Sequence, residues 1–305
     1  MITQEVLFEA AFQAIVKGAT YISDDVYKAL KDAWEKEGNP AAKTGLGNTV
    51  KSLEMSREKS LPACSDTGWP LFFVKIGNEA ELEGGMLHLQ ETLCRAVEKA
   101  TAEGYLRKTM KHPLTGFDPG YNVGENVPWI TWKFVPGDKV QITYVAKGGG
   151  SEVFGGARTQ MVAFADGLKG IKKFVVDSFA EATYAGAVCP PSIIGVGIGG
   201  TANMAADLAK EAACLRKVGT HHPEKAFAEL EQELFEAINS LGIGILGIGG
   251  NTSTLGVNVE YAYTHIAGIA VAISCNCMVA RRGTYLIHAD NSMEYQADPL
   301  WFENR

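Results

Sequence analysis

The chain has 305 residues, a net charge of −7 with histidine neutral, 46% hydrophobic and 21% charged residues. That length suits one large α/β domain or two smaller ones. No apolar run reaches the ~18–20 residues of a membrane span. The start "MITQEVLFEAAFQ" lacks a secretory pattern, and Lys and Arg are scattered rather than gathered in a nucleic-acid patch, so a cytoplasmic protein with no membrane or nucleic-acid partner is expected.

Residues 2–17 predict an amphipathic helix, with Val6, Leu7, Ala10, Ala14 and Ile15 on one side. Ser23 is placed to cap a helix running to Lys36, which "EGNP" ends, and a polar helix follows over 43–58. "LFFVKIG", from Leu71 to Gly77, reads as a strand, and 86–103 as a long helix. "WITWKFV" and "KVQITYVA" alternate apolar and polar residues around "PGD", which predicts a hairpin. Helices are expected over 159–168, 171–186, 202–217 and 224–241, and strands at "SIIGVGI", 255–263, 269–275 and 284–289. The pattern predicts one α/β domain, 1–305, with a mixed sheet flanked by helices and residues 1–60 as its helical N-terminal part.

Three glycine clusters stand out: "KGGGSEVFGG" from Lys147, "GVGIGGTA" from Gly195 and "GIGILGIGGNTST" from Gly242. Any one glycine can serve a turn or a close packing contact. Gly195, Gly197 and Gly200 match the dinucleotide fingerprint G-x-G-x-x-G, but so do Gly242, Gly244 and Gly247. The acidic strand end that a Rossmann fold needs ~20 residues on is replaced by "VGTHHPEKA". Consecutive bare N–H groups facing an anion or an inorganic cofactor account for the clusters better.

None of the six cysteines forms Cys-x-x-Cys, and a reduced compartment disfavours disulfides. Cys94 and Cys214 sit in helical patterns and are expected as small core residues. Cys64 in "PACSDTGWP", Cys189 in "AVCPPSIIGVGIGG" and Cys277 in "HIAGIAVAISCNCMVARRG" lie in turns or at a strand end. Cys275 is two residues from Cys277, on the same side of a strand, and its role stays open. Three such thiolates could hold three irons of a [4Fe–4S] cluster, leaving the fourth iron open as a Lewis acid.

"CSDTGWPLFFVKIG", "EGYLRKTMKHPL", "NVGENVP", "KGGGSE", "CPPSIIGVGIGGT" and "HIAGIAVAISCNCMVARRG" occur in this order. The series resembles the α region of iron–sulfur hydro-lyases, the class I fumarases and L(+)-tartrate dehydratases. The resemblance implies Cys64, Cys189 and Cys277 as cluster ligands, the last twelve residues after His265. It implies Asp66 and His265 as catalytic groups, Arg107 as a carboxylate clamp, and Ser65, Gly148, Gly149 and Gly150 at the substrate. Ser65 stands where fumarase-like members commonly have glutamine, and Val153 follows Glu152 where a fumarase-type loop often has asparagine. "VPWITW", "THHPEKAFAELE" and "RRGTYLIHAD" look closer to tartrate dehydratase α subunits.

The resemblance therefore implies dehydration of a small 2-hydroxy dicarboxylate, L(+)-tartrate to oxaloacetate, with fumarate and malate as the alternative pair. It further implies a β subunit supplying part or all of the catalytic base, and symmetric closure makes α2β2 the expected assembly. A non-catalytic iron–sulfur or redox-sensing subunit, and a nucleotide-binding oxidoreductase, are the readings from other classes.

Overall fold

A computed structural model describes residues 1–153, 156–184, 186 and 188–303. Phe154 and Gly155, within the first glycine cluster, and Ala185, within the helix expected over 171–186, lie outside the described residues. The elements in chain order are helices α1 (Gln4–Thr20), α2 (Asp24–Lys36) and α3 (Pro40–Lys59), strand β1 (Trp69–Gly77), helix α4 (Gly85–Ala102), strands β2 (Trp129–Val135) and β3 (Val140–Lys147), helix α5 (Gly150–Val153), strand β4 (Ala157–Val162) and helix α6 (Gly167–Tyr184). Then come β5 (Ser192–Ile198), α7 (Ala202–Leu215), α8 (Lys225–Ser240), β6 (Thr254–Tyr261), β7 (Ile269–Asn276), β8 (Arg281–Ile287) and β9 (Met293–Tyr295). The class is α/β, as expected, with the strands divided between two mixed sheets.

The chain forms two compact units interleaved in sequence. The first takes Met1–Ser23, Ser52–Lys147 and Arg281–Pro299; the second takes Asp24–Lys51, Gly148–Ala280 and Leu300–Arg305. The helical first 60 residues are thus shared between the units.

The first unit holds a five-stranded sheet in the order β2-β1-β3-β8-β9. Thr3 caps α1, its side chain accepting the Val6 N–H. The apolar side of α1, with Leu7, Ala11 and Ile15, packs with Leu89, Leu93 and Val97 of α4 on Phe72, Val74, Ile142 and Tyr144. Glycine lets α1 approach closely: a Cβ on Gly283 would fall 2.2 Å from the Ala14 carbonyl oxygen.

The expected hairpin does not form. β1 lies between its two arms, parallel to β2 and antiparallel to β3, so that Phe72 pairs with Ile130 on one side and Tyr144 on the other. The "PGD" turn passes over the end of β1, where Gly77 N donates to the Lys139 carbonyl and Glu79 N to that of Gly137, both at 2.8 Å. The apolar run of β1 is almost wholly buried and gains from neighbours on both edges. β2 takes the edge instead, with Trp129 58% and Phe134 71% exposed.

The second unit holds a four-stranded sheet in the order β4-β7-β5-β6. Ile194, Val196, Ile198, Val271 and Ile273 form a core with α6 and α8 residues such as Val175, Phe179, Leu230 and Leu234. On the opposite side of β5, Ile193 is followed by Gly195 and Gly197. A Cβ on Gly195 would lie 1.9 Å from the Ala209 carbonyl oxygen, and one on Gly197 equally close to that of Ala205. These two glycines of the fingerprint-like cluster serve backbone packing of α7 on β5 rather than an anion. Of the expected helix 159–168, the first part is strand β4, antiparallel to β7, followed by a short 3-10 turn over Phe164–Asp166. Pairing with β7 overrides local preference, as tertiary context commonly does for short segments carrying β-branched residues such as Thr159 and Val162.

Gly195→Ala is therefore expected to destabilise the chain by about 1–3 kcal/mol, because α7 backbone must move to admit one methyl group. Urea denaturation checks this, and an unchanged midpoint would show that α7 does not sit that close to β5.

Candidate active site

In the first unit, the segment Cys64–Gly68 leads into β1. Ala63, just before it, donates its N–H to the Ala19 carbonyl in the last turn of α1 at 2.9 Å. Cys64 and Asp66 are partly exposed and Ser65 is exposed. The Asp66 Oδ1 accepts the Gly68 N–H at 2.9 Å, the local turn that an Asp-x-Gly sequence favours.

Thr67 is buried and does more than fill space. Its hydroxyl accepts the Arg107 N–H at 2.9 Å and donates to the Arg107 carbonyl at 3.3 Å. Asn122, also buried, donates to that same carbonyl at 2.9 Å and accepts the Thr109 N–H at 2.8 Å. The backbone of Arg107 is thus pinned beside the Asp66 turn while its side chain stays exposed. Sequence reading found Arg107 but missed Thr67 and Asn122, because no periodicity marks a polar side chain that fastens an irregular segment.

In the second unit, Cys189 and Cys277 come together at one end of the sheet. Met278 N donates to the Cys189 carbonyl at 3.0 Å, and Leu246 N donates to the Pro190 carbonyl at 3.0 Å. The Cys277 N–H is taken by the Asn276 side chain at 3.1 Å. Cys189 is exposed and Cys277 half-buried, whereas Cys275 is buried in β7, opposite Ile194. Cys214 is buried, as expected; Cys94 is only partly buried, and desolvation followed by the charges of Glu98 and Glu91 pushes its thiol pKa up. Gly148 to Gly150 open α5, where the Ser151 hydroxyl donates to the Gly148 carbonyl at 2.8 Å. Glu152 of α5 pairs with Lys210 of α7 at 3.1 Å.

His265 is not brought to the Cys189–Cys277 end. It precedes β7 while Cys277 follows it, and eight strand residues span roughly 26 Å at ~3.3 Å each. Its ring accepts the Ala267 N–H at 3.1 Å, in an exposed loop.

The family model of fumarate hydratase (Fumerase) matches residues 8–285. A Methanocaldococcus jannaschii protein, provisionally named L(+)-tartrate dehydratase subunit alpha, is 40% identical over 276 residues, 90% of this chain and 95% of that one. The L(+)-tartrate dehydratase subunit alpha of Escherichia coli O157:H7 is 39% identical over 290 residues, 93% of this chain and 91% of that one. That of Escherichia coli K12 is 38% identical over the same length. The chain belongs to the fumarate hydratase (Fumerase) family. It is a hydro-lyase enzyme.

Thr67→Val keeps the shape and removes both hydrogen bonds to Arg107. A loss of about 1–3 kcal/mol is expected, since two backbone groups lose a buried partner. Thr67→Ser is expected to retain most of the stability. Equal stability of the valine variant and the parent in thermal unfolding would mean that the hydroxyl does not fasten this segment.

Proposed function

We propose that this chain is the α subunit of a cytoplasmic iron–sulfur hydro-lyase that converts L(+)-tartrate to oxaloacetate, working with a β subunit in an α2β2 assembly. The observation that carries this reading is similarity, over nine-tenths of the chain, to proteins named L(+)-tartrate dehydratase subunit alpha. The two units would act as one catalytic domain, 1–305. Fumarate hydration to malate is the second reading, favoured by the family description.

The thiols of Cys64, Cys189 and Cys277 would hold a [4Fe–4S] cluster. Among the described residues no group of three or more His, Cys, Asp or Glu side chains could hold a single metal ion. A cluster places each thiolate on a separate iron, so its ligands need not crowd one point. The donor set fits: none of the six cysteines is in a disulfide, and the three proposed ligands lie in loops outside the cores that bury Cys214 and Cys275.

When bound, such a cluster supplies a Lewis-acidic iron for departure of the hydroxyl group. The Arg107 guanidinium offers a planar fork for one substrate carboxylate. Ser65 and the backbone of Gly148, Gly149 and Gly150 would line the substrate, and Asp66 would orient the groups that move its proton. The role of His265 rests on the resemblance alone. The partner subunit would complete the base.

The test is anaerobic co-expression with a β-type chain of about 200 residues, a usual size for a separate domain. Tartrate dehydration is expected to exceed fumarate hydration, and the chain alone to be nearly inactive. Cys64→Ser, Cys189→Ser and Cys277→Ser are each expected to remove cluster absorbance, while Cys214→Ala and Cys275→Ala keep it. Faster fumarate hydration would select the second reading; full activity of iron-depleted protein would remove the cluster from the mechanism.

A further inference from the structure

The two edges of the second unit's sheet are treated differently. At one edge, β6 has outward backbone groups taken by buried side chains. Val259 donates its N–H to Glu231 Oε1 at 2.8 Å, and its carbonyl accepts from the Arg216 guanidinium at 3.2 Å. That edge is closed to a further strand at Val259. At the other edge, β4 has a sheet neighbour on one side only.

The register shows which groups β4 leaves open. Cys275 donates its N–H to the Gly156 carbonyl at 2.7 Å, and the pairing continues from Ala157 opposite Ser274 to Val162 opposite Ile269. Hydrogen-bonded and non-hydrogen-bonded pairs alternate along an antiparallel ladder. Arg158, Gln160 and Val162 therefore turn their backbone groups to β7, and Ala157, Thr159 and Met161 turn theirs outward. Among the described residues no backbone hydrogen bond from another segment reaches these three. Thr159, Gln160 and Met161 are exposed, Met161 by 59%. Natural edge strands are commonly blunted by a lysine, a proline or a bulge. β4 has none of these: "ARTQMV" runs without a register shift, and its one charge, Arg158, is paired with Glu181 of α6.

The surroundings favour one occupant. An open cleft of about 780 Å³ continues from the strand along α6. The cleft and its extension beside β4 carry Arg158, Lys169 and Lys173 against Asp166, Asp177 and Glu181, a balanced patch on a chain of net charge −7. Two copies of an acidic chain repel each other, and a neutral patch is where they can approach. A strongly acidic or basic partner segment finds no complementary field there. The strand is also complementary to itself. A twofold axis through Thr159 sets Met161 opposite Ala157 and Arg158 opposite Gln160, and it uses all three outward residues. Large meets small, and the arginine does not face its own copy. A register centred on Arg158 would set two guanidinium groups face to face, which is destabilising.

We propose that β4 is an interface between two copies of this chain, which pair antiparallel about Thr159 and join their second-unit sheets into one. The proposal needs neither the cluster nor a particular substrate. In the α2β2 assembly it makes this edge the α–α contact.

The experiment measures mass by sedimentation equilibrium on the full chain, alone and with the β subunit, for the parent, Thr159→Lys and Thr159→Glu. Because position 159 meets its own copy, each variant sets two like charges together, and an equimolar mixture of the two sets opposite charges together. The parent is expected to dimerise, each variant to dimerise roughly tenfold more weakly or worse, and the mixture to return to parental affinity. If a charged variant fails to fold, Thr159→Pro, which removes an outward N–H at an edge that tolerates it, is expected to weaken the dimer as much. A parent chain that is monomeric both alone and with the β subunit would overturn the proposal. So would folded variants that dimerise like the parent, or a mixture as weak as either variant alone. A parent chain that is monomeric alone, with variants that no longer bind the β subunit, would assign the edge to a strand of that partner and equally overturn pairing between copies.

Discussion

The two-sided pairing of β1 is the constraint on which the first unit depends. Its register sets Trp69 opposite Lys147, and the β3–β8 register then sets Ala146 opposite Arg281. The turn that carries Cys64 and Asp66 therefore opens at the sheet end where the buried cations stand. Had β2 and β3 paired with each other as a hairpin, β1 would be an edge strand, and this corner would not be assembled in the same way. The Thr67 hydroxyl extends the constraint sideways, because holding both backbone groups of Arg107 ties an irregular segment to the β1 entry. The clamp role proposed for Arg107 would need such fastening, since a loosely held side chain loses much of the benefit of fixed geometry.

The second unit solves a different problem. Its sheet is covered on both faces, by α6 and α8 on one and by α7 on the other. Gly195 and Gly197 remove side chains on the α7 side, and Ala205, Ala209, Ala270 and Ala272 keep that layer thin. Ile194, Val196 and Ile198 then fill the other layer, and of β5's large residues only Ile193 lies on the α7 side. The same alternation settles Cys275: Ile194, Val196 and Ile198 face the thick layer, and the cross-strand partner of Ile194 is Cys275. Cys277 lies past the end of β7, where the carbonyl of Cys189 and the backbone of Met278 tie the two segments together. A thiol inside an element is positioned by packing, and one just beyond it can be positioned for chemistry.

Much of this was legible in the sequence. Period and capping signals gave α1, α2, α7, α8, β1 and β5 to within a few residues, because each has one dominant face or a clear stop. The wrong hairpin shows what alternation leaves out: it identifies strands but not their partners, and a two-residue pattern is the same whichever strand lies alongside. β4 was read as helix because "ARTQMV" has little pattern of its own and takes its form from β7. The glycine clusters were read as one kind of object, but the structure divides them. Gly195 and Gly197 make room for a helix, whereas Gly199, Gly200, Gly244 and Gly249 turn the chain in the left-handed region. Spacing likewise tied His265 to Cys277 by twelve residues, yet eight of the intervening positions form a strand, which carries the two ends apart.

Charge shows the same difference between a chain and a site. The chain as a whole carries −7, which gives no hint of an anion-binding function. The buried charge of the first unit has the opposite sign, in Lys147, Arg281 and Arg282. Field strength at a point depends on the nearest charges and on how little water screens them, far more than on the total. Acidic residues spread over a solvated surface are screened within about 10 Å at ordinary ionic strength, whereas a desolvated guanidinium is not. An acidic protein can therefore concentrate positive charge locally, and the register of β1, β3 and β8 places Lys147 and Arg281 at one end of the first unit's sheet.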